Sequence, residues 1–432
     1  MTEENMMPKQ SIWKLLKQKL QATDLLIFIF MYLLIIIGMI FVFSATMYAG
    51  GGTGGRAVPF SYVSRQLQGV SIGSALMLAM MLVPHKWYRN LTLIQVIVLA
   101  LDGLLLYTAL FGEVVGGASN WFNHFGINFQ PAELYKAAVA VLVAWHLSFQ
   151  KEELSVKTTK EKWNVKTNIK NPKQLLSQNQ GIISIGLILA GFLFMRMMPD
   201  YGMILLIAIA LAANWTINKL TLKQNIRLYS VGAGAYAVFL WIATTFAPNW
   251  INRDSHFLVR LGIFTNPFID PLNKGFQLIQ SLIAISRGGW FGKGIGQGIT
   301  KQLSLPEGQN DFIFAIMTEE LGFVKILVFL IFLLVVYLYL FKQAMACKDT
   351  FRKNVIFGLS IMFVVQSMVN IGGVLSVIPL TGVTLPFISS GGTSMMISMA
   401  TIGIIQAMII QERLADDEMN GSDSNGKEYD RI

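Results

Sequence analysis

Charge is scarce in this sequence. Only 13% of the 432 residues are Asp, Glu, Lys or Arg, whereas soluble domains carry roughly 25%. That shortage excludes an ordinary soluble globule, and the 54% hydrophobic content points to lipid as the surrounding solvent. Thiols are scarcer still. Cys347 is the one cysteine, so neither an intramolecular disulfide nor a thiolate metal site can form. No short-period repeat is present. The first apolar run, 25–43, exceeds the length of a signal-peptide core and reads as a retained helix. A basic stripe is missing too: the formal charge is +10, but the Lys and Arg residues lie between apolar runs, which argues against nucleic acid as a partner.

What the chain does have is a series of apolar blocks of about 20 residues, the length of a helix that crosses a bilayer. Ten candidate spans lie near 25–43, 66–83, 91–111, 134–149, 182–198, 201–217, 228–246, 312–341, 355–369 and 393–410. Length alone would suggest roughly two or three soluble domains, but the blocks argue for one bundle. The expected fold is therefore all-α, a polytopic membrane bundle of about ten transmembrane helices. It divides into an N-terminal segment 1–24, a transmembrane domain 25–410 and a polar tail 411–432 that reads as disordered. The largest loop, about 247–311, falls between spans seven and eight, and the segment 150–180 reads as a surface loop.

Basic residues set the expected orientation. Lys9, Lys14, Lys17 and Lys19 precede span one, Lys86 and Arg89 follow span two, seven lysines lie in 150–180, and Lys342, Lys348, Arg352 and Lys353 follow span eight. All fall on one side, which the positive-inside rule makes cytoplasmic, with both termini inside. The outer loop 247–311 breaks the trend with Arg253, Arg260, Lys274, Arg287, Lys293 and Lys301. Long loops cross despite their charge, but so many cations there need a reason.

Ionisable groups inside bilayer helices are functional candidates by default. Asp102 in span three reads first as a helix–helix hydrogen bond, His146 as interfacial packing, and Lys136 and Arg196 as side chains that snorkel or bind ligand. Three outer segments stand apart. Phe129-Gln130-Pro131-Ala132-Glu133-Leu134-Tyr135-Lys136 starts a helix with Pro in its first turn, and Glu133 and Lys136 share a face, so a simple ion pair competes with a ligand role. The second segment opens at Gly275-Phe276-Gln277 and runs through Arg287 and glycines 288, 289, 292, 294, 296 and 298 to Lys301, Pro306-Glu307 and Asp311. Its glycines permit close backbone turns, but they form neither a Walker loop nor a Rossmann fingerprint. Asp311 sits before an apolar helix, where a capping role and a chemical role are both open. The third, Asn370 to Gly392 with Pro379, Pro386 and Ser389-Ser390, mixes apolar residues with helix breakers and reads as a re-entrant loop.

These segments resemble the SEDS proteins of bacterial shape, elongation, division and sporulation, the FtsW/RodA/SpoVE family. The motifs look like FxPxELxK, GxQxxQSxxAxxxGGxxGxGxG, KxxxLPExxxDFIFAxxxEExG and PxTGxxLPFxSxGG, and Pro199-Asp200-Tyr201-Gly202 resembles the family's PDxG turn. The likeness runs in order from span one to Ile410 and looks closer to the division branch, FtsW, than to the elongation branch, RodA. Ser119-Asn120, Asn310 and Ser390 depart from residues common in the family.

The resemblance implies a peptidoglycan glycosyltransferase in the bacterial cytoplasmic membrane. It would polymerise lipid II beside a class B penicillin-binding protein and other divisome proteins. Asp311 carries over as the family's essential aspartate, Glu307 as the LPE glutamate and Lys301 as the preceding lysine. Asp311 is then the expected general base, a role worth about 10²–10⁴-fold, with Glu307 sharing or tuning it. Lys301, Arg260, Lys274 and Arg287 are candidates to neutralise pyrophosphate, and Gln277, Glu133, Lys136 and Ser389 complete the candidate substrate-binding set. A divalent cation, Mg or Mn, could share that work, although no ligand cluster in the sequence identifies one. Two other readings fit a ten-helix bundle: a flippase or transporter of lipid-linked precursors, and a scaffold for the penicillin-binding protein. A transporter should gather its polar residues midway across the bilayer, whereas Asp311, Glu307 and Lys301 all fall on the outer side.

Overall fold

The computed structural model describes residues 12–47, 58–115, 118–124, 127–161, 172–246, 256–273, 275–301, 305 and 308–429. A short helix α1 (Ile12–Gln21) precedes α2 (Leu25–Thr46). Asp24 starts α2 by accepting the N–H groups of Leu26 and Ile27, which would otherwise be orphaned. Then come α3 (Val58–Leu82), the single turn α4 (His85–Arg89) and α5 (Leu91–Phe111). A small antiparallel patch follows, β1 (Glu113–Val115), β2 (Ala118–His124) and β3 (Ile127–Phe129), with Trp121 opposite Glu113 and Phe122 opposite Phe129. The chain returns through α6 (Pro131–Glu161), α7 (Pro172–Met197), α8 (Tyr201–Lys219) and α9 (Leu222–Phe246). The long loop holds α10 (His256–Thr265), a 3₁₀ turn (Pro267–Ile269) and α11 (Phe276–Gly288). The last three helices are α12 (Ile313–Ala346), α13 (Thr350–Val374) and α14 (Gly392–Tyr429).

Nine helices among the described residues are long and apolar enough to cross a membrane: α2, α5 to α9 and α12 to α14. The expected span at 66–83 forms as α3, less apolar because Arg65, Gln66 and Gln68 lie in its first half. It nevertheless runs parallel to α14. Gly69 meets Gly392, Gly73 meets Met399, and Met77 meets Gly403, where an added Cβ would lie 2.4 Å from the Met77 carbonyl. α3 therefore occupies the same depth as α14 and completes the set of ten. The apolar spans of α13 and α14 are 78% buried and form the centre, whereas α9 is 6% buried and lies at the edge.

Two segments depart from their sequence reading. The stretch 150–180 is not a loop throughout: α6 continues to Glu161 and α7 begins at Pro172. The tail 411–432, read as disordered, is helical as far as Tyr429. Its first turns are tied down, since Glu412 accepts from Lys348 N at 2.7 Å and pairs with Arg352 Nε at 2.6 Å, while Asp416 pairs with Lys348 Nζ at 2.7 Å.

α12 is broken at Gly322, whose φ of +74° lies in the left-handed region. The glycine-rich loop splices this break. Lys293 N and Gly294 N donate to the carbonyls of Glu319 and Glu320, and Phe323 N and Val324 N donate to those of Gly289 and Trp290. The groups orphaned by the break are thus paired. Only glycine fits at the crossing, because a Cβ on Gly292 would lie 2.1 Å from Glu320 O.

The loop 375–391 re-enters the bundle. Its Leu385, Phe387 and Ile388 are buried, and the Ile388 carbonyl lies 2.6 Å from where a Cβ on Gly38 would stand. Gly38 is eight residues before the end of α2, so at 1.5 Å per residue the loop descends roughly 12 Å along that helix.

Candidate functional site

At the end of the bundle where α6, α8, α12 and α14 begin lies a cavity of about 240 Å³. Asn120 and Trp121 from β2, Gln130 and Glu133 from the start of α6, Asp200 and Met203 from the start of α8, and Arg260 from α10 form one wall. Asn310 and Asp311 before α12, residues 381–384 and 390–391 of the re-entrant loop, and Thr393 and Ser394 of α14 form the other.

Asp311 is held there through its backbone. Asn370 Nδ2, on α13, donates to the Asp311 carbonyl at 2.8 Å and to the Val383 carbonyl at 2.8 Å, binding the helix start to the re-entrant loop. Gly382 lies beside the carboxylate, and its φ of +76° favours glycine. Arg260 Nη1 approaches the Thr381 carbonyl at 3.5 Å, which aims the guanidinium at the same opening.

A chain of hydrogen bonds joins the two sides of the cavity. Glu133 and Lys136 are paired at 2.5 Å with almost no exposure. Lys136 Nζ also donates to Gln366 Oε1 at 2.7 Å, and Gln366 Nε2 donates to the Thr384 carbonyl at 3.0 Å. Asp200 caps α8 by accepting Met203 N at 3.1 Å and takes the Gln130 amide at 3.1 Å. Burial pushes the Asp200 carboxyl above the ordinary carboxylate range, against the opposing pull of those two donors. The cavity thus combines acids, a guanidinium and several hydroxyl and amide groups, an arrangement able to hold an anion and move a proton.

Of the residues singled out in the sequence, Asp311, Arg260 and Glu133 line this cavity, and Lys136 stands directly behind Glu133. Glu307 and Lys274 lie outside the described residues. The others are placed elsewhere. Lys301 is fully buried in an ion pair with Glu320 at 2.7 Å, because the glycine-rich loop folds back on α12. Gln277 and Arg287 belong to α11 and do not line the cavity; Arg287 reaches Thr300 Oγ1 at 3.4 Å. Ser389 turns inward, its Oγ accepting Leu385 N at 2.8 Å, while its neighbour Ser390 faces the cavity.

His146 bonds to Ser184 of α7 at 2.8 Å, and the Arg196 guanidinium lies 5.1 Å from the Tyr201 ring centre. Asp102 does not form the expected helix–helix hydrogen bond: it is buried against Gly191, and neither carboxylate oxygen has a hydrogen-bond partner among the described residues. Sequence reasoning missed Asp200 and Gln130 as site residues. The signal was the Pro199-Asp200-Tyr201-Gly202 turn between two spans, which places an acid at the same end as Glu133.

Comparison with known proteins gives a consistent picture. A family model described as a cell cycle protein, covering FtsW, RodA and SpoVE, matches residues 24–414. A Bacillus subtilis protein named probable peptidoglycan glycosyltransferase FtsW is 32% identical over 398 residues, covering 90% of this chain and 91% of the relative. Stage V sporulation protein E of the same organism is 31% identical over 391 residues, covering 90% and 97%. Among solved structures, a chain from a study of how a peptidoglycan synthase complex coordinates polymerization and crosslinking superposes with a TM-score of 0.64 at 22% identity, covering 90% of this chain and 98% of that one. The rod shape determining protein RodA of Thermus thermophilus superposes with a TM-score of 0.58 at 19% identity, over the same shares.

Proposed function

This chain belongs to the FtsW/RodA/SpoVE family of cell cycle proteins, and from that premise we propose that it is a peptidoglycan glycosyltransferase that polymerises lipid II. The observation that carries the reading is the convergence of Asp311 and Arg260, distant in sequence, on one polar cavity at one end of a membrane bundle. Polymerisation requires that a sugar hydroxyl lose its proton as it attacks the anomeric carbon, and that the departing lipid pyrophosphate have its charge stabilised. Asp311 is the group at the cavity suited to accept the proton. Arg260 is suited to the pyrophosphate, since a guanidinium donates two parallel hydrogen bonds to phosphate oxygens. Asp200 shapes the same wall by accepting Met203 N and the Gln130 amide, and its burial disfavours a further negative charge beside the phosphates.

The glutamate–lysine pair of α6 has a different part. Its charges compensate each other, so it shapes the wall and ties α6 to α13 through Gln366. Glu307 remains the candidate to tune Asp311, four residues before it in the chain. A divalent cation, Mg or Mn, would enter with the pyrophosphate. Mg²⁺ commonly takes one or two carboxylates plus substrate phosphates, and the described residues contain no group of three or more His, Cys, Asp or Glu for a resident ion.

The cavity end faces outward in this reading and both termini face the cytoplasm. The excess of Lys and Arg near the opposite end, including Lys19, Lys86, Arg89, Lys348 and Arg352, supports it. The division role rests on the relatives named FtsW, and a class B penicillin-binding protein is the proposed partner, supported by the likeness to a chain from a synthase complex. The test is polymerisation of labelled lipid II by the full chain in nanodiscs, with and without that partner. Glycan strands that disappear in Asp311→Asn support the proposal. Undiminished polymer from Asp311→Asn removes Asp311 as the base, and lipid II crossing the bilayer without polymer replaces the enzyme with a transporter.

A further inference from the structure

Asp311 stands two residues before a short helix that is not continuous with the rest of α12. Residues 313–321 form about two and a half turns and end at the Gly322 break. A continuous helix would fix the direction of its own first turns through its ladder of hydrogen bonds. A broken one does not, so the direction of this short segment, and with it the place of Asp311, has to be fixed from outside.

Its last turn is where the outside contacts gather. Glu320 is fully buried and its Oε1 accepts Lys301 Nζ at 2.7 Å and Ser44 Oγ at 2.6 Å. Lys301 Nζ in turn donates to Ser44 Oγ at 2.8 Å, closing a triangle between α2, the glycine-rich loop and α12. Glu320 Oε2 accepts Gly296 N at 3.1 Å. The adjacent Glu319 accepts Ile299 N at 3.0 Å and Thr300 N at 3.1 Å. None of Ser44, Lys301, Glu319 and Glu320 lines the cavity.

We propose that Glu320, together with Lys301 and Ser44, is a positioning cluster that sets the direction of the short helix 313–321 and so the placement of the Asp311 carboxylate. A buried ion pair seldom adds net stability over apolar residues of similar size, and its attested use is to fix one geometry among several. Here the geometry is the angle of a helix stub against α2. The inference rests on the glycosyltransferase reading, because Asp311 must have a reaction to be positioned for.

The test compares the full chain in nanodiscs with the double variant Lys301→Met, Glu320→Gln, which removes both charges at nearly constant volume. The expected result is a thermal midpoint close to that of the wild type, a KM for lipid II within about twofold, and a kcat lower by about tenfold or more, the range in which small misplacements of catalytic groups are felt. A double variant that folds and keeps its kcat overturns the proposal. Should that variant fail to fold, Ser44→Ala provides the second reading: it removes one arm of the triangle and should lower kcat while leaving KM and the thermal midpoint in place. Unchanged kcat in Ser44→Ala, or an effect confined to KM, also overturns it. A wild type that makes no polymer at all defeats the glycosyltransferase reading instead, so the two failures are distinct.

Discussion

Glu133 and Lys136 sit 2.5 Å apart in the first two turns of α6, each with 4% of its side chain exposed. A pair so thoroughly removed from water behaves unlike a surface salt bridge. Removing one member strands the other as a buried charge, typically at a cost of about 3–5 kcal/mol. Lys136→Met should therefore lower the thermal midpoint sharply. Combining it with Glu133→Gln should recover most of the loss, since neither charge is then left alone. Thermal unfolding of the two variants in nanodiscs checks this; a single variant as stable as the wild type would show that the pair is hydrated after all.

Asp311 should behave in the opposite way. Its backbone carbonyl, not its carboxylate, receives the Asn370 amide. Asp311→Asn should leave the thermal midpoint nearly unchanged while lowering polymerisation by about 10²–10⁴-fold, the range expected for loss of a general base. The paired measurement separates chemistry from folding.

Asn370→Ala should do both kinds of damage. It leaves the carbonyls of Asp311 and Val383 without their buried donor, and each unsatisfied group costs about 1–3 kcal/mol. The same change frees Asp311 from the re-entrant loop. A lowered midpoint together with a lowered kcat is the expected pair of results, and a loss of stability with full activity would mean that Asp311 holds its place by other contacts.

The sequence made the helices legible because apolar blocks of bilayer length admit few alternatives. It also made Asp311, Arg260 and Glu133 legible as a group, since alternation of spans puts them all at one end. Lys301 shows where that reasoning stops. Its partner Glu320 lies beyond Asp311 in the chain and its other partner, Ser44, lies on α2, so nothing local distinguishes a cation that meets phosphate from one that locks a loop. Asp200 was hidden for another reason. An acid directly before a helix is well explained as its cap, and Asp200 is indeed the cap of α8; only the packing of α6 and the re-entrant loop around it places it in the cavity as well. The break in α12 falls at Gly322, the last glycine of the EExG motif, but the motif alone does not say that the helix breaks there until the loop that splices it is seen.

The buried carboxyl of Asp200 predicts a pH effect. Burial raises its pKa in the folded state above the ordinary carboxyl value. The folded chain therefore holds that proton more tightly than the unfolded chain. The resulting stability is complete below the unfolded pKa and is lost as pH rises through the folded one. Asp200→Asn mimics the protonated form. Relative to that variant, the wild type should lose stability as pH is raised above about 4, the unperturbed carboxyl value. Parallel thermal midpoints above that pH would mean that folding leaves the proton affinity of the carboxyl unchanged.

The re-entrant loop offers the sharpest steric test. An added methyl on Gly38 would meet the Ile388 carbonyl at 2.6 Å and its Cα at 2.7 Å. Both are backbone atoms of the segment that supplies Thr381, Gly382 and Ser390 to the cavity wall, so no side chain can swing aside to make room. Overpacking of this kind typically costs about 1–3 kcal/mol. Gly38→Ala should accordingly lower stability, and by lifting the loop it should lower activity as well, although Gly38 itself lies well away from Asp311 in the sequence and does not line the cavity. Gly103→Ala in α5 is the matched control, because nothing stands within 4 Å of the position its Cβ would take. There the gain in helix propensity, about 1 kcal/mol, should leave stability equal or slightly higher and activity unchanged. If both variants behave alike, the loop does not descend against α2, and the wall it contributes to the cavity has to be redrawn.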